Sequence, residues 1–409
     1  MVSLRSLVLL CLVALPAQAY PWMVRHNYGG CATCHVDPSG AGQLTQYGRA
    51  QQELLVKWQT QPLKEGEEVP KTAGFLWFAE LPDWLNLSGN LRYGSLIRPT
   101  AGPTFLGGIF IPLLMAVDLY VTLNFGPVVA HASTGLGIRV NNNTGRAALL
   151  VAQPAAPEPG QPPAAFQAAA AWMAREFWLG LKLADDAVMF RVGRQNLPFG
   201  LRNAEHNSYV RELTRTDVNV AQQVGASISY NSEKLRGELL GIIGNYQLGP
   251  DIYRERGYSA FAEYAFSNAV NVGASSLVTH AGADIITGLP TVRHVHGLFA
   301  RMVPTEKLAL LMEADLLLWQ VTGNADRFGF AAFAQADYEV VQGLHIMVTG
   351  EGAHSGGVQR GPNLGGWLSA AWYFFSHCEL RLDNIFRRRA TAGEGLFEYN
   401  LLLQLHAYL

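Results

Sequence analysis

Period-two alternation, sustained from residue 85 to the C-terminus, narrows most what this chain can fold into. In "LFEYNLLLQLHAYL" (396–409) Phe397, Tyr399, Leu401, Leu403, Leu405, Ala407 and Leu409 are apolar. The positions between them include Glu398, Asn400, Gln404 and His406. Successive side chains of a strand point to opposite faces, so the segment carries one apolar and one polar face. Leu85, Leu87, Leu91, Tyr93 and Ile97 alternate in the same way with Asn86, Ser88, Asn90, Arg92 and Arg98. Farther on, Met115, Val117, Leu119, Val121, Leu123 and Phe125 oppose Asp118, Thr122 and Asn124.

Composition decides what the apolar faces meet. Charged residues make up 15% of the chain, against about a quarter in soluble domains. Aromatic residues make up 11%, and past the N-terminal leader no apolar run is long enough for a membrane helix. Low charge, many aromatics and period two together predict a transmembrane β-barrel. The alternating segments are 85–98, 113–125, 128–139, 172–183, 187–195, 221–231, 235–247, 257–267, 270–280, 293–303, 307–320, 327–338, 344–354, 364–375, 378–387 and 396–409. This predicts an all-β fold, an antiparallel barrel of about sixteen strands over 81–409. Short turns ("GP", "ADDA", "NSEK", "SNAV", "PTEK", "VVQG", "SH") alternate with longer loops, as periplasmic and extracellular connections do. A soluble β-sandwich would not alternate its loop lengths so regularly.

Residues 1–19 read as a signal peptide: Arg5, the apolar "SLVLLCLVAL", then Ala17-Gln18-Ala19 as a small-x-small cleavage site. Leu10 ahead of Cys11 removes a lipoprotein reading. The mature chain then begins near Tyr20, in an oxidising compartment, and the barrel belongs in the bacterial outer membrane.

In that compartment the remaining cysteines are Cys31, Cys34 and Cys378, too few and too odd in number for a disulfide framework. "GGCATCHVDPSG" (29–40) places Cys31, Cys34 and His35 at the spacing of c-type haem attachment. Two thiols add to the haem vinyl groups, and the next residue offers an imidazole to the iron as proximal ligand. A redox dithiol would open a helix in a βαβ setting, and a zinc site would need a second ligand pair; neither context is present. One covalent haem c is therefore expected, with Cys31, Cys34 and His35 as its attachment and proximal residues. For the distal position Met23 and His26 lie near in sequence, while parity points His131, His345 and His406 inward. Cys378 falls on the lipid face by parity and reads as structural.

Residues 20–80 form the haem segment. Within it "LTQYGRAQQELLVKWQT" predicts a short helix with Thr45 as N-cap and Leu54, Leu55 and Trp58 on one face, followed by the charged "KEGEEVPK". The segment is too small to shield a haem alone. The expected shelter is the barrel lumen or its periplasmic mouth, with Trp22, Tyr28, Tyr47 and Trp58 helping to pack it.

Parity also collects ionisable groups on the lumen face: Glu176, Lys182, Arg191, Arg236, Glu238, Glu263, Glu313, Asp315, Arg327, Asp337, His345, Glu351, Glu379, Arg381 and Asp383. They read as the wetting of a water-filled interior. Residues 141–171, rich in Ala and Pro, read as an extracellular loop with a short helix near its end. Residues 196–220, with Arg202, Arg211 and Arg215, sit where sixteen-stranded porins carry a constriction loop, and by that resemblance are expected inside the lumen.

Through "MVRHNYGGCATCH" and "LTQYGR", the latter similar to a Leu-Thr-x-Phe-Gly-Arg pattern, the chain resembles the outer-membrane cytochrome–porin fusions. That family includes the monohaem iron oxidases of iron-oxidising bacteria and joins a Cys-x-x-Cys-His segment to a sixteen-strand porin. About 30 residues carry the motif-specific match. "HVDPSGAG" departs from the family's usual stretch after the haem histidine, and "VGRQNLPFGLRN" resembles plain porins. The resemblance implies electron transfer across the outer membrane, with ferrous iron as an extracellular donor and a periplasmic cytochrome or other carrier as partner. The other reading is a porin for small solutes whose haem segment is a plug or docking handle. Neither reading involves nucleic acid.

Overall fold

The computed structural model describes residues 21–26, 28, 30–40, 42–99, 108–141, 147–149, 168–202, 208–218, 221–248, 251–357, 361–391 and 395–408. The proposed signal peptide lies outside them. The strands are β1 (Leu85–Pro99), β2 (Gly108–Phe125), β3 (Val128–Asn141), β4 (Ala147–Leu149), β5 (Ala168–Leu183), β6 (Val188–Gln195), β7 (Gln223–Asn231), β8 (Leu235–Gly244) and β9 (Arg256–Ser267). They continue with β10 (Val270–Ala281), β11 (Thr291–Thr305), β12 (Leu308–Val321), β13 (Arg327–Val341), β14 (Leu344–His354), β15 (Asn363–Phe375), β16 (Cys378–Arg389) and β17 (Leu396–Tyr408). Each pairs antiparallel with its chain neighbour, and β1 pairs with β17 from Asn90↔Tyr408 to Ile97↔Leu401. Only the three-residue β4, a rung on the upper end of β3, stands outside the ring. A closed sixteen-strand barrel results, which leaves no sheet edge unpaired.

Alternation places the faces as parity predicts. On β8, Arg236, Glu238, Leu240 and Ile242 are buried inside while Leu235, Leu239 and Ile243 are exposed outside. One bulge resets the pattern. The β1–β2 register shifts between Arg92 and Tyr93, so β2 has an extra residue there. Leu114, not Met115, consequently takes the outer face at 56% exposure, and Met115 turns toward Gly94. Parity counted straight through a bulge fails beyond it.

The loop 141–171 is corrected where it is described. Its last residues, Ala168 to Ala171, belong to β5 rather than to a helix; 142–146 and 150–167 lie outside the described residues. The lumen is also drier than expected. Leu240, Phe261, Leu277, Phe299 and Phe333 point inward and pack against Phe199, Leu201, Tyr209 and Val210 of the segment after β6. That segment folds into the barrel, as its porin-like position suggested. The Gly200 N–H donates to Ser275 Oγ at 2.8 Å, and the Tyr209 N–H donates to Glu351 Oε2 at 2.7 Å. Arg211 pairs with Glu313 of β12, and Arg215 with Asp284 at 2.6 Å. The wall thus holds the segment by polar bonds and by a hydrophobic cluster together.

Candidate haem site in the periplasmic mouth

The Cys31–His35 motif is a single helical turn. The Cys34 and His35 N–H groups both donate to Cys31 O, at 3.1 and 2.9 Å, which sets Cys31 and His35 one turn apart. The chain then turns back at "DPSG": Gly40 N–H donates to Asp37 O at 2.9 Å, and Asp37 Oδ1 accepts from the Ser39 N–H and hydroxyl, each at 3.0 Å. Asp, Pro, Ser and Gly suit such a turn because the Asp side chain holds the backbone while Gly takes positive φ. Gly40 has φ +89°, and a Cβ there would lie 2.9 Å from Cys31 Sγ. The returning strand clasps the motif, with Val36 N–H to Gln43 O at 3.0 Å and Thr45 N–H to Cys34 O at 2.8 Å.

Thr45 caps the helix Gln46–Gln51, its Oγ1 accepting from the Gly48 N–H at 3.0 Å. Gly48 is required for a second reason: a Cβ would sit 2.4 Å from Cys34 O. The helix lies on the motif. Its most buried face is not the expected apolar one. Arg49, Gln52, Glu53 and Val56 are buried, while Leu54, Leu55 and Trp58 are half-buried. The polar face works because the barrel mouth supplies partners. Arg49 Nη1 donates to Leu87 O at 2.8 Å and pairs with Asn86 Oδ1 at 2.5 Å. Gln52 bridges Tyr408 and the His377 N–H, and Glu53 accepts from Ser376 and Thr72.

Other residues tie the segment across the lumen. Cys31 Sγ accepts from Arg236 Nη1 of β8 at 2.7 Å, Asp37 pairs with Arg191 of β6 at 3.1 Å, and Arg25 pairs with Asp337 of β13. Gln43 is fixed between Asn86 O at 2.9 Å and Thr122 Oγ1 at 2.5 Å. Partners on β1, β6, β8 and β13 make the segment an intraluminal plug. Trp58 does not shelter this interior, contrary to expectation. It packs edge-to-face at 5.9 Å on Trp372, which faces outward at 40% exposure. Tyr28 and Tyr47 do stay inside the plug, their hydroxyls 3.2 Å apart. The side chain of Trp22 lies outside the described residues.

Both motif cysteines are buried, at 6% and 1% exposure, and neither is in a disulfide. Burial, then the neighbouring Cys31, pushes the Cys34 thiol up, the opposite of an activated redox dithiol. Of the distal candidates, His406 has both nitrogens engaged, Nε2 with Asn90 at 2.8 Å and Nδ1 with Arg92 and Glu379. His131 bonds Thr122 at 2.8 Å and stacks on Trp178, and His345 bonds Asp337 at 2.9 Å. Met23 is packed with Ala309, Met347, Ala371 and Tyr373. The His345 Nε2 lies 3.8 Å from Glu339 Oε1, while His26 Nε2 is buried with no hydrogen-bond partner. Burial, then Arg25 and His345, lowers its pKa to about 4, so the ring is neutral. Two buried thiols on one turn outside any disulfide, an imidazole one turn along, and the unbonded Nε2 of His26 fit the haem group that the motif implies.

No family model and no curated protein matches the chain. Solved structures do. The chain is similar to the outer-membrane-expressed OmpT of Vibrio cholerae at 10% identity, over 80% of this chain and 97% of that one, with a TM-score of 0.56. It is similar to an anion-selective porin from Comamonas acidovorans at 11% identity, over 80% and 99%, TM-score 0.51. The outer membrane channel DcaP of Acinetobacter baumannii matches at 9% identity, over 80% and 97%, TM-score 0.51. The chain is thus a porin-like barrel of the bacterial outer membrane, with the lipid bilayer as its surroundings.

Proposed function

We propose that this barrel is an outer-membrane electron-transfer protein, bearing one haem c on Cys31 and Cys34 with His35 as proximal ligand. The covalent haem supplies a one-electron redox couple. The observation that carries the reading is the placement of a buried Cys-x-x-Cys-His turn inside the lumen, held to the wall by Arg236, Arg191 and Asn86. The wall gives the short segment the dry enclosure that it cannot build alone. His26 is the distal ligand favoured by its unpartnered Nε2. An extracellular donor such as ferrous iron and a periplasmic cytochrome are the partners this placement suits. Haem staining and a redox spectrum of the purified protein, titrated with ferrous iron, test it. A covalent haem reduced by external donor supports the reading, and a chain that never carries haem overturns it.

The second reading is a porin for small solutes with the segment as plug. The similarity to porins and channels favours it for the barrel itself. Planar-bilayer recording separates the two: a large steady open-channel current with the segment intact would favour solute diffusion.

A further inference from the structure

We propose that His294 and His296 form a binding site for a divalent transition cation on the outer wall of the barrel, at the level of the extracellular headgroups. Both sit on β11, and inward Arg293 and Val295 are buried while His296 is exposed and His294 half-buried on the lipid-facing side. Residues two apart on a strand share a face; their ring centroids here are 6.3 Å apart. Polar side chains are costly on the lipid face at mid-membrane and cheap near its edges. Along the register His294 lies level with Tyr258 and Phe328, and His296 with Leu316 and Phe330. Tyr258, Phe328 and Phe330 are outward aromatics close to the extracellular strand ends, where an aromatic girdle marks the interface. The pair is therefore within reach of aqueous ions.

Each imidazole is oriented by its own support. His296 Nδ1 is 3.0 Å from Ser276 Oγ, which is 3.0 Å from the Tyr258 hydroxyl. His294 Nε2 is 3.3 Å from Gln320 Oε1, and the amide end of Gln320 donates to Asp326 at 3.3 Å. That second bond turns the amide so that its oxygen faces the histidine, placing the proton on His294 Nε2 and leaving Nδ1 bare. In the tautomer whose Nδ1–H donates to Ser276, His296 Nε2 is bare as well. Rings with the far nitrogen anchored are how metal-binding histidines are held. Two imidazoles suit Cu2+, Ni2+ or Zn2+, with water completing the shell.

The test is a Cu2+ titration of the full-length protein in detergent micelles, followed by electron paramagnetic resonance. The parent should show a nitrogen-ligated copper signal. His294→Ala and His296→Ala should each raise the dissociation constant by about tenfold or more, and Gln320→Leu should weaken binding less. A His294→Ala/His296→Ala double variant that binds copper as tightly as the parent overturns the proposal. These residues face lipid, so the variants leave the lumen intact. The site is independent of the haem reading: Cys31→Ser/Cys34→Ser protein should still bind copper.

Discussion

Gly40 shows how far one residue constrains the candidate site. It combines φ +89° with an open Cα against Cys31 Sγ, so an alanine meets both backbone strain and a clash. Gly40→Ala should cost about 1–3 kcal/mol in plug stability and lower haem occupancy, read as the ratio of haem absorbance to protein. At the chemistry itself, Cys31→Ser/Cys34→Ser should abolish covalent haem staining while the barrel still folds. His26→Ala should keep the covalent haem but change its visible spectrum, because ligand identity sets the iron's electronic state. An unchanged spectrum would transfer the distal role to Met23. The motif residues themselves were legible in sequence, because thiol chemistry dictates their spacing. Arg236 against Cys31, or Asp37 against Arg191, was not, since nothing local couples residues so far apart along the chain.

At the scale of elements, the helix Gln46–Gln51 and the turn at His377 act as a latch between plug and barrel. The His377 ring is buried, its Nε2 3.2 Å from Ala73 O and its face against Tyr408 at 5.9 Å. Burial lowers its pKa from 6.5 to about 4, with Arg49 and Lys57 also lowering it and the Ala73 carbonyl and Glu53 opposing. A base with a depressed folded pKa takes up its proton on undocking. Latch stability is therefore full above pH 6.5 and is lost as pH falls through about 4, up to about 3 kcal/mol for this group. Hydrogen exchange of residues 46–58 should rise over that window while the strands stay protected; no change would remove His377 from the latch. Thr45→Ala, which deletes the cap on Gly48, should cost about 1 kcal/mol by the same measurement. The helix and its cap were readable from sequence. Its buried polar face was not, because Arg49, Gln52 and Glu53 reach partners on β1, the turn at 376–377 and β17.

For the whole molecule, the lumen is filled from two sides, by the plug below and by the segment after β6, whose Arg211 and Phe199 seat on the wall. The intact protein should give little open-channel current in planar bilayers, and removing residues 20–80 should produce discrete conductance steps. Equal currents from the two would show that the plug does not seal the mouth.

The barrel, its roughly sixteen strands and the face of nearly every strand residue were legible before any coordinate. Those follow from period two and from the mismatch between apolar surface and water, both local properties of the chain. The Cys31-x-x-Cys34-His35 motif was legible too, because the haem attachment proposed for it is written in five consecutive residues. Three-dimensional packing was needed to learn that the β2 bulge turns Met115 inward, that Trp58 leaves the lumen for Trp372, and that part of the interior is a dry core. It likewise decided which histidine nitrogens remain without partners. The bulge is settled by the register of one hairpin; the others depend on closing the ring of strands, which brings residues hundreds of positions apart into contact and lets packing, not alternation, choose their neighbours.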